Sequence, residues 1–240
     1  MKENKFLLFI IATILLALFS FKFWFLYTDP YGLFDKMTYY ARGHGFQEKG
    51  AYQEALREYT RALSLDPKLA MAYNNRGLVY KKLKKIKEAL ADFTKAIECD
   101  PKLAPAYNNR GVTYFELGNL DKALPDYSRV ISIFPGHALA YYNRANIYKK
   151  QKIYGHALAD YNRAITRDPF MDEAYYNMGH IFLLQGKFQR AFEEFSKCIY
   201  IAPKEPYPYY MRHLALKGLK KFKKAETDLK KAEALRAMKK

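Results

Sequence analysis

The chain has 240 residues and carries 41 Lys and Arg against 24 Asp and Glu, a net charge of +17. Residues 1–35 hold Lys2, Lys5 and Lys22 against Glu3, Asp29 and Asp35, so the whole excess lies in residues 36–240, where it favours acidic protein, anionic lipid or nucleic acid without choosing among them. The length allows one or two ordinary domains, but a fixed internal period excludes a single central core.

After the short basic start MKENK (residues 1–5) comes FLLFIIATILLALFSFKFWFLY, Phe6 to Tyr27, in which only Thr13, Ser20 and Lys22 are strongly polar. At about 1.5 Å per residue this run is long enough to cross a bilayer. Lys22 can snorkel beside Trp24 and Tyr27 at the interface. The expectation is a single-pass transmembrane signal-anchor helix over residues 6–27 followed by a linker, residues 28–35. A cleaved signal peptide is the rival, and no A-x-A pattern follows the run to support it. Lys2 and Lys5 nearly balance Lys36 and Arg42 under the positive-inside rule. A short basic start that stays cytoplasmic places the rest of the chain on the extracytoplasmic side.

From residue 36 the sequence repeats. AYNNRGLVY from Ala72 returns as AYNNRGVTY from Ala106, AYYNRANIY from Ala140 and AYYNMGHIF from Ala174, each 34 residues on. Pro67, Pro101, Pro135, Pro169 and Pro203 keep the same period without an insertion. Between prolines, apolar residues fall at helical spacing in two runs, which predicts a helical hairpin per unit. The units are 36–69, 70–103, 104–137, 138–171, 172–205 and 206–240. Their eighth position is small in five of six (Gly43, Gly77, Gly111, Ala145 and Gly179, then His213). Their twenty-fourth is large and apolar throughout: Tyr59, Phe93, Tyr127, Tyr161, Phe195 and Leu229.

This arrangement of an aromatic, a small residue, a later alanine, an aromatic and a closing proline resembles the tetratricopeptide repeat family over residues 36–240. The resemblance implies an all-α, right-handed superhelical solenoid of about six helical hairpins, in which the first helix of each pair lines a concave groove. Such folds bind peptides and protein segments and are seldom catalytic. Val130 and Cys198 replace the late alanine, and the lysine-rich sixth unit without a terminal proline reads as a cap.

Position six of the first helix is Asn75, Asn109, Asn143 and Asn177 in successive units. A row of amides can hold the backbone of an extended peptide without reading its side chains. The row is similar to the asparagine ladder in the superhelical repeats of O-linked N-acetylglucosamine transferase. Alternatively, these amides bond only within the stack. Helical geometry adds Asn74, Asn108, Tyr142, Asn146, Tyr176 and His180 to the expected lining. Position five is Tyr or Asn in every unit, which argues against the lysine-based carboxylate clamp of chaperone-binding relatives.

Position seven is Arg42, Arg76, Arg110, Arg144, Met178 and Arg212, and position twenty-three is always Asp or Glu. These predict base–acid rungs across each hairpin, of modest individual value if exposed, with unit five the weak link. Basic clusters alternate between units: Lys81, Lys82, Lys84, Lys85 and Lys87 in unit two, Lys149, Lys150 and Lys152 in unit four, Lys217, Lys220, Lys221, Lys223 and Lys224 in unit six. They suggest an intermittent basic ridge along the turns, or plain solubilising charge.

No nucleophile elbow, phosphate loop, H-E-x-x-H or C-x-x-C occurs, and the five histidines are scattered. Cys99 and Cys198 are about three repeats apart, too far in an elongated array for a disulfide. The sequence therefore points away from catalysis, metal and cofactor. It points to a membrane-tethered scaffold for an extended protein segment, with basic-ridge docking as the alternative. Nucleic acid is disfavoured by the lack of any recognisable nucleic-acid module, and an exposed terminal helix could support self-association.

Overall fold

The structure, a computed structural model, describes residues 34–238. The expected anchor over residues 6–27 lies outside the described residues. Among the described residues no helix is long and apolar enough to cross a membrane.

Twelve helices follow one another among the described residues, with no strand between them. They are α1 (Lys36–Glu48), α2 (Tyr52–Leu65), α3 (Ala70–Lys82), α4 (Ile86–Cys99), α5 (Ala104–Glu116), α6 (Leu120–Ile133), α7 (Ala138–Lys150), α8 (Tyr154–Arg167), α9 (Asp172–Leu184), α10 (Phe188–Ile201), α11 (Pro206–Gly218) and α12 (Phe222–Ala237). Each odd helix packs most closely on the even helix that follows it, and every second helix also touches the first helix of the next unit. The result is a stack of hairpins whose first helices stand side by side.

Two kinds of turn make this stack. Between units, Asp66, Asp100 and Asp168 each precede a proline and leave the helical region, with φ of −138°, −138° and −133°, as a residue before proline tends to where that region is crowded. Their carboxylates accept from the backbone N–H two residues on, at 2.9 Å from Lys68, 2.9 Å from Lys102 and 3.1 Å from Phe170. Within units, the fifteenth residue is left-handed: Gly50, Gly118 and Gly186 in the odd units, but Lys84, Lys152 and Lys220, with φ of 59°, 60° and 57°, in the even ones. The N–H after it bonds the carbonyl five residues back, as in Ala51 to Phe46 and Lys85 to Tyr80, both at 2.9 Å, closing the helix end. Holding a lysine there costs roughly 1 kcal/mol of steric strain that glycine avoids.

The core is a file of small residues against rings. Tyr59, Phe93, Tyr127, Tyr161 and Phe195 are all at most 1% exposed, and burying each is worth about 2–3 kcal/mol. The ring of Phe93 fills the space where a Cβ on Gly77 would sit, 2.8 Å away. In the sixth unit His213 takes the small residue's place, and its Nδ1 lies 2.8 Å from the Ala225 carbonyl oxygen, to which it donates.

The base–acid rungs form as expected in five of the six hairpins, and they are not exposed pairs of modest individual value. Arg76, Arg110, Arg144 and Arg212 each donate twice to Asp92, Asp126, Asp160 and Asp228, and all four carboxylates are buried. Arg42 pairs with Glu58 at 3.1 Å. Position twenty-three is buried in every unit, Glu58 and Glu194 included, and each of the four arginines also grips the preceding unit. Its Nη1 reaches back to the hydroxyl of Thr60, Thr94, Ser128 or Ser196 there, at 3.1–3.2 Å. One guanidinium thereby joins three helices. Unit five has Met178 in that place, 3% exposed, and Glu194 turns to Lys197 at 3.0 Å instead.

Candidate functional site

The asparagine row lies along the first helices, where α1, α3, α5, α7, α9 and α11 stand side by side. Three of its four members donate to position five of the unit before. Asn75 Nδ2 reaches Tyr40 Oη at 2.9 Å, Asn109 Nδ2 reaches Asn74 Oδ1 at 2.9 Å, and Asn177 Nδ2 reaches Tyr142 Oη at 3.3 Å. Asn74 in turn donates to Asn75 Oδ1 at 3.0 Å. The series breaks between units three and four, where Asn143 makes no side-chain hydrogen bond among the described residues and Asn108 Oδ1 is buried without a partner. A primary amide has two N–H groups and an oxygen with two lone pairs, so each rung keeps bonding capacity beyond its link within the stack.

Burial shapes the lining. Asn74 and Asn177 are buried, while Asn75, Asn108, Asn109, Tyr142, Asn143, Asn146, Tyr176 and His180 are half-buried. Loss of solvent raises the pKa of Tyr40 and of Tyr176, which keeps both phenols protonated as donors. Tyr161 donates to Asn146 Oδ1 at 2.5 Å, and that oxygen also receives Asn177 Nδ2 at 3.2 Å.

A concavity of about 430 Å³ opens between units four, five and six. Tyr142, Tyr176, Asn177, Tyr207 and Pro208 wall it, and Asp172, Glu173, Glu205 and Cys198 complete the lining. Burial, and then the charge of Glu173, raises the pKa of Asp172. The Cys198 thiol is pushed up to about 12, first by burial and then by the same carboxylates. The space admits one large side chain. Sequence reading found Tyr142 and Tyr176 but missed the carboxylates, because Asp172 and Glu173 open α9 while Glu205 precedes α11, one unit later.

The basic ridge divides. Lys82, Lys84, Lys85, Lys150, Lys220 and Lys221 are exposed. Lys81 and Lys149 are half-buried and engaged within the stack, with Lys81 donating to Glu116 at 2.9 Å and Lys149 to Asn177 Oδ1 at 2.6 Å. Lys84, Lys152 and Lys220 are the three ridge residues in the left-handed turn. Among the described residues no group of His, Cys, Asp and Glu is placed to hold a metal ion.

Family models described as tetratricopeptide repeat match residues 70–103, 104–137, 138–171 and 172–205, and one described as TPR repeat matches residues 43–84. Comparison with curated proteins returned no match. Among solved structures, MamA is 24% identical with a TM-score of 0.64, over 68% of this chain and 95% of that one. YrrB, described as a TPR protein with an unusual peptide-binding site, is 25% identical with a TM-score of 0.63, over 78% of this chain and 92% of its own. PilW, described as a widely conserved type IV pilus biogenesis factor, is 20% identical with a TM-score of 0.67, over 80% of this chain and 90% of that one. With the repeat models running from residue 43 to residue 205, the chain belongs to the tetratricopeptide repeat family.

Proposed function

We propose that this chain is a non-catalytic interaction scaffold, tethered to a membrane by residues 6–27, whose first-helix groove holds an extended segment of another protein. The observation that carries this reading is the row of amides at one helical position, with spare donors and acceptors at the regular rise of the stack. YrrB, a solved relative in fold described as having a peptide-binding site, supports it. The aromatic and amide lining suits a segment with some apolar side chains.

The test is selection of short random peptides on the full-length chain in mild detergent, followed by affinity measurement on the variant Asn109→Ala/Asn143→Ala. Affinity should fall about tenfold or more as peptide-backbone hydrogen bonds are lost, with helicity by circular dichroism retained. Unchanged affinity removes the asparagines from the mechanism. A reporter fused after Lys240 and active only in the cytoplasm tests the tether's orientation, and it should stay silent if the repeats face outward.

A second reading rests on one specific observation. Lys84, Lys152 and Lys220 occupy left-handed turn positions that the other units give to glycine, so a positive charge is kept there against local strain. In that reading the exposed lysines dock on an anionic surface and the groove is incidental. Binding that collapses between low and moderate salt supports it. Salt-tolerant binding that needs the asparagines supports the groove.

A further inference from the structure

Lys81 and Lys149 hold the same place in their units, in the last turn of a first helix, yet their surroundings differ. The Lys81 charge is answered by Glu116 at 2.9 Å. Lys149 has as its hydrogen-bond partner among the described residues only the neutral Oδ1 of Asn177. Burial lowers its pKa, and no carboxylate opposes that shift. His180 stands close enough for the Lys149 charge to add to burial in lowering its own pKa. Its Nδ1 is enclosed and lacks a hydrogen-bond partner among the described residues.

The hydrogen-bond acceptors around this pair are neutral amide oxygens, each already bonded within the stack. Asn177 Oδ1 receives Lys149, and Asn146 Oδ1 receives both Tyr161 and Asn177. What remains is donor capacity, in partial shelter from water: two N–H bonds of the Lys149 ammonium, joined by His180 Nδ1 in the tautomer that carries its proton there. A half-buried cation without a counter-charge is costly, and a carboxylate arriving there gains a charge-assisted hydrogen bond strengthened by the low local dielectric.

We propose that Lys149 and His180 form a receiving site for the carboxylate of an aspartate or glutamate side chain on the segment held in the groove. The proposal rests on the groove reading above. A side chain fits better than a chain terminus because the lining continues on both sides, to Asn109 in unit three and to Tyr207 in unit six. A segment running past both ends presents side chains here. Asn177 serves as the positioning residue: its oxygen fixes Lys149, while its amide is held by Tyr142 and Asn146.

The test uses random peptides with amidated C-termini, selected on the full-length chain in mild detergent and then measured on variants. Selected peptides should share an Asp or Glu at one position. Replacing that residue by its amide should weaken binding about tenfold on the wild type and leave binding to Lys149→Met unchanged. Lys149→Arg should retain the preference, and Lys149→Glu should select Lys or Arg at the same peptide position. A lysine with a merely structural role would not produce that exchange. Peptides that bind through the asparagines but show no acidic preference, and do not distinguish Lys149→Met, overturn the carboxylate site and leave the groove standing. Binding confined to peptides with a free C-terminus also overturns it, because the anion is then a chain end. If no peptide is selected at all, the groove reading fails and this site fails with it.

Discussion

Arg110 donates to both carboxylate oxygens of Asp126, at 3.0 and 2.7 Å, and Asp126 is 3% exposed. A third bond, from Nη1 to Thr94 Oγ1 at 3.1 Å, carries the same guanidinium to the previous unit. Arg110→Met therefore strands a buried charge and cuts an inter-unit link, and should cost about 3 kcal/mol. Chemical denaturation measures it, and a loss below about 1 kcal/mol would return the rungs to the class of exposed pairs.

The file of small residues makes a graded prediction. A Cβ at position 179 would come within 2.7 Å of the Phe195 ring, whereas at position 111 the nearest atoms are 3.2–3.3 Å away. Gly179→Ala should destabilise by about 1–3 kcal/mol through overpacking. Gly111→Ala should be near neutral, since gained helix propensity of up to about 1 kcal/mol offsets the contact. Ala145 opposite Tyr161 shows the stack accepting such an alanine in unit four. Equal effects at the two sites would show that the rings shift freely.

Strain in the even-numbered turns can be read directly. Lys84→Gly relieves a left-handed lysine at φ 59° and should stabilise by about 0.5–1 kcal/mol, the steric gain less the added freedom of the unfolded chain. Gly118→Lys should cost about 1 kcal/mol. Thermal unfolding of both variants checks the pair, and a destabilised Lys84→Gly would mean that the lysine side chain, not the turn, is worth more to the fold.

Thiol chemistry separates the two cysteines. Cys198 is 1% exposed and its thiol is pushed up to about 12, while Cys99 is half-buried. Alkylation near pH 8 should modify Cys99 first and leave Cys198 protected until unfolding. Equal labelling rates would reveal that unit five opens readily.

Features that recur by identity were legible in the sequence: the period, the file of glycines against rings, and the arginine and acid positions. The inter-unit grip of the arginines was not, because it uses Thr60, Thr94, Ser128 and Ser196, polar residues that look ordinary one at a time. The left-handed lysines did leave a signal, since Gly50, Gly118 and Gly186 hold the same register as Lys84, Lys152 and Lys220. Reading the lysines as charge hid their backbone role. The partners of Asn75, Asn109 and Asn177 lie 35 residues back rather than 34, a relation between units that no single-unit pattern encodes. Lys149 and Lys81 share a register, and only Glu116 on the following unit distinguishes them.

Met178 has a consequence for cooperativity. In a one-dimensional array, each unit is stabilised by its own folding and by coupling to its neighbours. Every junction from unit one to unit six has an arginine-to-hydroxyl link except that between units four and five. There the polar coupling instead runs across the groove face, from Lys149, Tyr142 and Asn146 to Asn177. A bound carboxylate bridging Lys149 of unit four and His180 of unit five would act at that same seam. The apolar core is continuous across that seam, so occupancy would add a polar link to an apolar one, and the ligand would be felt as a sharper transition as well as a higher midpoint.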